Sequence, residues 1–311
     1  MLRRMLLAAS GSARAREILT SAPLARGVVS RYVAGTTAQD AVAAARRLRA
    51  EGLLVTLDYL GEDTADSAAA AAVAAEYITL LGLLAAEGLA AGAAAEVSVK
   101  PTAVGLGLPE HGEKTALEHI GRICTAARNA GTAVTVDMED HTHVDATLRL
   151  VRELRADFPD LGCVIQSQLR RAAADCGALA RPESRVRLCK GAYRAPEDVA
   201  FPARHDVDRS YARCLRILMN GRGYPMIATH DPRLLTIAAA QAELTGRSPD
   251  SFEYQLLYGV RPDEQRRLAA TGARVRVYMP YGSDWYGYLV RRLAERPANV
   301  GFFLRSLTSR R

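Results

Sequence analysis

The chain has 311 residues, 49% of them hydrophobic and 24% charged, enough apolar material for one large core and too much for global disorder. A formal charge of +7 admits nucleic acid, an anionic surface or acidic small ligands as partners, but the arginines lie along helices beside acidic residues. No basic run interleaves with aromatics, which argues against nucleic acid. Five scattered cysteines (Cys124, Cys163, Cys176, Cys189 and Cys214) form no CxxC pair and read as buried thiols in a reducing compartment.

The start, Met1 to Ser10, reads as the first turns of an amphipathic helix rather than a signal peptide, because its apolar run is short and Arg14 and Arg16 follow at once. Residues 1–50 form a helical arm, with Thr36-Thr37 offering the N-cap of a helix that ends near Glu51. Alanine runs at Ala68 to Ala75 and Ala90 to Ala95 favour helices lying close against a sheet. No uninterrupted apolar run approaches the roughly 18 residues that span a bilayer, so the chain reads as soluble or peripheral.

From there short apolar runs alternate with stretches long enough for helices. They fall at Leu53 to Asp58, Glu96 to Lys100, Ala133 to Asp137, Cys163 to Gln166, Val186 to Cys189, Pro225 to Thr229, Phe252 to Gln255 and Val275 to Tyr278. Eight strands alternating with helices imply parallel crossovers, and eight closes a barrel. The fold class is therefore α/β, a (β/α)8 TIM-type barrel in one domain over residues 1–311 with extra N-terminal helices. An open doubly wound sheet competes, but no G-x-G-x-x-G follows the first strand.

Barrel sites lie at the C-terminal strand ends. Here those ends carry Asp58, Lys100, Asp137 with Met138, Gln166, Lys190 after Arg187, Thr229-His230, Gln255 with Leu257, and Tyr278. So varied a polar ring suits an extended cofactor with sugar, phosphate and heterocycle parts. Near the C-terminus, Tyr288, Arg292 and Glu295 share one helix face with Arg291 alongside, and paired guanidinium groups grip a carboxylate well; a solvated amphipathic helix has the same pattern. Two rival chemistries exist. Alternating Asp137, Glu139, His141 and His143 would face a metal if the strand continued, although barrel hydrolases draw ligands from several strands, and no metal is assigned. Lys190 as a Schiff-base lysine needs a desolvating pocket that Arg187 works against. Basic ends at Arg3, Arg4, Arg14, Arg16, Arg305, Arg310 and Arg311 would alternatively suit a membrane-surface module without catalysis.

Three motifs resemble the proline dehydrogenase family of flavin-dependent barrels: Arg187-Leu188-Cys189-Lys190-Gly191-Ala192-Tyr193, Phe252-Glu253-Tyr254-Gln255-Leu256-Leu257-Tyr258-Gly259, and Tyr278 through Tyr288 to Glu295. Shorter matches at Leu57 to Glu62, Asp137 to Asp140 and Ala228 to His230 keep the same order along the chain. The resemblance implies oxidation of L-proline to Δ1-pyrroline-5-carboxylate with FAD, a membrane quinone as electron acceptor, and a separate pyrroline-5-carboxylate dehydrogenase downstream. It also implies a monofunctional enzyme in the cytoplasm, peripheral at the inner face of the membrane. It assigns Asp137 and Arg187 as catalytic, and Lys100, Leu257, Tyr278, Tyr288, Arg291 and Arg292 as substrate-binding. The FAD contacts it implies are Met138, Gln166, Arg187, Lys190, Gly191, Ala192, Tyr193, Thr229, His230 and Glu295. Asp137 is expected to neutralise or orient the basic cluster through Lys100. Arg194 stands where many bifunctional relatives carry tryptophan, and Gln168 where relatives often have tyrosine.

Overall fold

Runs such as Leu54-Val55-Thr56-Leu57 are too short for a helix and carry apolar residues at alternate positions, so they settle as strands buried on both faces. The computed structural model describes residues 29–289, and all eight strands form there. They are β1 (Leu54–Tyr59), β2 (Ala95–Val99), β3 (Val134–Val136), β4 (Gly162–Gln166), β5 (Arg185–Cys189), β6 (Tyr224–Ala228), β7 (Glu253–Leu257) and β8 (Val275–Tyr281). Neighbours pair in parallel in sequence order, and β8 returns to β1 from Leu54↔Arg276 to Tyr59↔Tyr281, so the sheet closes.

Helix α1 (Ala38–Ala50) leads into the barrel, and its start follows the sequence signal. The Thr37 hydroxyl accepts from the Asp40 amide at 3.2 Å while the Asp40 carboxylate accepts from the Thr37 amide at 3.2 Å. The return helices are α2 (Ser67–Ala86), α3 (Gly112–Ala130), α4 (Val144–Leu154), α5 (Ala172–Leu179), α6 (Arg204–Asn220), α7 (Pro232–Thr245) and α8 (Pro262–Ala270). The arm before residue 29 lies outside the described residues.

Two expectations need correction. The stretch Ala90 to Ala95 is not a helix: Gly92 and Ala93 take left-handed backbone angles (φ +64° and +55°), leaving only a short 3-10 turn before Ala95 opens β2. The 20-residue α2, with mean hydropathy 1.8, does reach the length and composition of a membrane span. It is nevertheless the crossover between β1 and β2, and Tyr77 on it reaches into the barrel wall, donating to the Ser98 carbonyl at 2.7 Å.

The two faces of each strand diverge in character. Outward residues such as Val55, Leu57, Val97, Val136, Ile165, Leu188, Leu256 and Val277 join the helices in one continuous apolar cluster. Inward residues are largely polar and form two tiers. The lower tier holds Thr56, Glu96, Thr135, Arg185, Glu253 and Arg276, and the upper tier Asp58, Ser98, Asp137, Arg187, Gln255 and Tyr278.

Candidate active site

Five strands, β2, β3, β5, β7 and β8, deliver the centre of the upper tier, Asp137 directly following β3. Arg187, two residues into β5, is buried at 4% exposure and crosses the barrel. Its Nη1 donates to Asp137 Oδ1 at 2.6 Å and to Ser98 Oγ at 2.8 Å, and its Nε donates to Gln255 Oε1 at 2.5 Å. The remaining nitrogen, Nη2, has no hydrogen-bond partner among the described residues and lies 4.0 Å from Glu96 Oε1. Asp137 accepts a second bond from Ser98 Oγ at 2.8 Å, and its other oxygen accepts from the Tyr278 phenol at 2.7 Å. Burial and the adjacent Asp137 charge push the Tyr278 phenol well above its usual range, so it stays protonated as a donor. The Arg187 guanidinium sits 5.1 Å from the centre of the same ring.

Lys100 follows β2 directly and is also buried, but its partner is not Asp137. Its Nζ donates to both oxygens of Asp58, at 2.6 and 2.5 Å, in a pair whose side chains are 9% and 1% exposed. The expected coupling of Asp137 to Lys100 is therefore corrected: Asp137 bonds Arg187, and Asp58 at the end of β1 neutralises Lys100. Burial works against the Lys100 charge, yet Asp58 and then Asp137 outweigh it and hold the ammonium above the usual lysine range. Burial pushes the Asp58 carboxyl upward more strongly than Lys100 draws it down.

Along the β4 to β6 side the remaining strand ends form a chain of amides and cations. Gln166 donates to the carbonyls of Met138 at 2.9 Å and Glu139 at 2.7 Å, fixing the loop after β3. Gln168 donates to Gln166 at 3.1 Å and to the Tyr193 carbonyl at 3.0 Å, so an amide here ties down the loop after β5. Within that loop Gly191 has φ +103°, and a Cβ there would meet the Gln168 side chain at 2.4 Å, so only glycine fits. Lys190 Nζ lies 2.5 Å from Asp208 and 3.1 Å from Asp231. Thr229 accepts from the Asp231 amide at 3.1 Å, and His230 Nε2 accepts from the Leu257 amide at 2.9 Å, which ties the loops after β6 and β7. Ala192 and Arg194 are exposed and Tyr193 is half-buried.

This donor set suits a bound cofactor with anionic and heterocyclic parts. It combines a buried guanidinium nitrogen lacking a hydrogen-bond partner among the described residues, a lysine on the rim and a glycine turn packed against Gln168. Leu257 is half-buried at the end of β7, and Tyr288 packs in a small cluster with Tyr32, Val33, Leu60 and Leu289. Arg291, Arg292 and Glu295 lie outside the described residues.

The rival metal face does not form. β3 ends at Val136, Glu139 turns to accept from the amide and hydroxyl of Thr102 at 2.9 and 2.7 Å, and His141 to His143 make a 3-10 turn. Lys190, paired with two carboxylates and 26% exposed in its side chain, is not in the dry pocket a Schiff base needs. Asp58, Ser98 and Gln255 carry contacts to which strand-end reading gave no role. A period-two pattern of polar residues within the strands (Glu96, Ser98; Arg185, Arg187; Glu253, Gln255) marks them.

The proline dehydrogenase family model matches residues 41–305. The chain is 39% identical over 277 residues to proline dehydrogenase 1 of Bacillus subtilis strain 168, covering 89% of each protein. It is 39% identical over 282 residues to the proline dehydrogenase of Deinococcus radiodurans, covering 90% of each. Among solved structures, proline utilization A from Bdellovibrio bacteriovorus, inactivated by N-propargylglycine, superposes with a TM-score of 0.81 at 25% identity. That superposition covers 87% of this chain and 33% of the larger protein, so this chain spans about a third of that structure's length.

Proposed function

This chain belongs to the proline dehydrogenase family, and on that premise we propose that it oxidises L-proline to Δ1-pyrroline-5-carboxylate with FAD held at the C-terminal mouth of the barrel. The observation that carries the reading is the convergence, inside the matched span, of Asp137, Arg187 and Tyr278 in one buried hydrogen-bonded cluster. When bound, FAD supplies the two-electron acceptor for the hydride. Arg187 supplies a positive charge whose plane is fixed by three acceptors, and a preorganised cation is worth most where reduction adds negative charge. Asp137 holds that guanidinium in place. Met138, Gln166, Lys190, Gly191, Ala192, Tyr193, Thr229, His230 and Glu295 are the remaining contacts to FAD in this reading.

Hydride leaves the carbon beside the proline nitrogen most readily when the amine is neutral and the carbon is held facing its acceptor, so the substrate must be gripped at its carboxylate. In the upper tier Lys100 and Arg187 are matched by Asp58 and Asp137, two cations against two carboxylates. A substrate carboxylate therefore needs cations from elsewhere, and Arg291 and Arg292 are the ones we assign, with Lys100 assisting. Leu257, Tyr278 and Tyr288 wall the ring.

We assign the electrons to a membrane quinone, with brief docking at the inner membrane face and a separate pyrroline-5-carboxylate dehydrogenase consuming the product. Purified protein should be yellow, should bleach on anaerobic addition of L-proline, and should recolour on addition of a soluble quinone. Colourless protein, or a flavin spectrum that L-proline leaves unchanged, rules the reading out.

A further inference from the structure

An Asn or Gln side chain presents an oxygen on one side and an NH2 on the other, in nearly the same shape, so a buried amide needs a neighbour that decides which way it faces. Gln255 is such an amide. It is 3% exposed, and its oxygen accepts from Arg187 Nε at 2.5 Å. Turned over, it would set two donors against each other beneath the candidate site. The neighbour that decides is Glu253, two residues earlier on β7 and on the same face of the strand.

An ionised carboxylate only accepts hydrogen bonds. Glu253 is fully buried, and its Oε1 accepts from Gln255 Nε2 at 2.6 Å and from Arg276 Nε at 2.7 Å. Its Oε2 accepts from Arg276 Nη2 at 3.0 Å and from the Tyr224 phenol at 3.1 Å. Resting on the functional reading above, we propose that Glu253 is a positioning residue that orients the Gln255 amide so that its oxygen fixes the Arg187 guanidinium at the barrel mouth. Burial alone would push the Glu253 carboxyl up, but Arg276 holds it below its ordinary value, so the acceptor-only form is kept through neutral pH. The chain of contacts runs from the lower tier to the upper: Arg276, Glu253, Gln255, Arg187 and then Asp137.

The competing role for Glu253 is that of a counter-ion to Arg276 and nothing more. Three variants of the flavin-loaded protein separate the two: Glu253→Gln, Gln255→Glu, and the exchange carrying both changes. The exchange conserves charge and composition, puts a carboxylate against Arg187 Nε, and leaves an amide oxygen for Arg276. Three quantities are read for each: kcat and KM for L-proline, the affinity of the bound flavin for sulfite, which strengthens with positive charge near the ring, and the thermal midpoint. Glu253→Gln should lower kcat/KM and sulfite affinity by about tenfold each, the size expected for one misdirected buried bond to a charged group. The exchange should recover both to within about threefold of the parent. Gln255→Glu alone should do worse than the exchange, because it sets two carboxylates side by side.

An exchange variant no better than Glu253→Gln in those two quantities overturns the proposal, as does a Glu253→Gln protein that loses only thermal stability. Should Glu253→Gln fail to fold, the comparison of Gln255→Glu with the exchange decides in the same way. A parent protein that binds no flavin, or is not bleached by L-proline, refutes the functional reading before any variant is compared, and the positioning role falls with it.

Discussion

Replacing Lys100 by methionine keeps an unbranched side chain, one atom shorter, and removes its charge. In the parent, Nζ bonds both Asp58 oxygens, and the two side chains are 9% and 1% exposed, so water contributes little to either charge. Without the ammonium, Asp58 is left with the phenols of Tyr77, a long contact at 3.4 Å, and Tyr278, both neutral. Breaking a buried pair from one side costs about 3 to 5 kcal/mol, and uptake of a proton by the orphaned carboxyl sets the ceiling. Burial and Asp137 already push Asp58 upward, and loss of Lys100 pushes it further. A carboxyl whose folded pKa lies above its unfolded one binds an extra proton in the native state between the two values, so the variant gains stability as pH falls through that window. Lys100 itself, raised in the fold, contributes fully at any pH below the unfolded lysine value, so its own titration adds nothing to the pH dependence of the parent between pH 5 and pH 8. Lys100→Met should therefore be about 3 kcal/mol less stable than the parent at pH 8, a fall in midpoint of roughly 6 to 12 °C, and should recover about half of that at pH 5. Adding Asp58→Asn should restore most of the deficit at pH 8. Urea denaturation of the three proteins at both pH values measures this. A deficit that is equal at pH 8 and pH 5 and untouched by Asp58→Asn would refute the reasoning.

Burial pushes Glu139 up to about 7 despite the two bonds from Thr102, so native protein binds a proton there that the unfolded chain releases above about 4.5; parent stability should fall as pH rises through that window. Glu139→Gln lacks the proton and should gain roughly 2 kcal/mol on the parent between pH 5 and pH 8, with denaturation curves at the two pH values as the check. Gly191→Ala places a Cβ 2.4 Å from Gln168 at a φ of +103°, and should cost about 1 to 3 kcal/mol and weaken flavin retention through dialysis; retention equal to the parent counts against the turn's role. Asp137→Asn replaces an acceptor of three bonds with a group that must turn an NH2 toward Arg187, Ser98 or Tyr278, and should lower kcat/KM at least about tenfold. Full activity in that variant would remove Asp137 from the site.

The barrel was legible because its signals are local and repeated. Runs such as Val134-Thr135-Val136 and Cys163-Val164-Ile165-Gln166 admit no other element at that length, and the helices between them fix a parallel order. The strand ends were legible for the same reason, since position in the strand alone sends Asp137, Arg187 and Tyr278 to one mouth. Partner choice was not legible. Nothing in the sequence around Lys100 tells whether it meets Asp58 or Asp137, because both close neighbouring strands and the choice depends on register across β1, β2 and β3. The Ala90 to Ala95 run failed for a local reason, since Gly92 admits the left-handed angle that ends a helix and alanine propensity does not override it.

The interior charges add a constraint that neither tier shows alone. Glu96 and Glu253 face Arg185 and Arg276 below, while Asp58 and Asp137 face Lys100 and Arg187 above, four acids against four bases. Buried pairs of this kind rarely exceed the stability of a well-packed apolar layer, and such barrels usually fill their interior with Val, Ile and Leu. The return is therefore to be sought in orientation rather than in stability. Glu96 illustrates it: burial alone would raise its carboxyl, yet Arg185 and Arg276 pull it down to about 2, so it remains a fixed anion across the physiological range. Arg185 and Arg276 are thus held by Glu96 and Glu253, both kept anionic, and Arg187, the uppermost, has one nitrogen without a hydrogen-bond partner among the described residues. A neutral stack also exerts little net pull on an anion, so substrate selection by charge must rest with groups beyond the strands, while the strands supply direction.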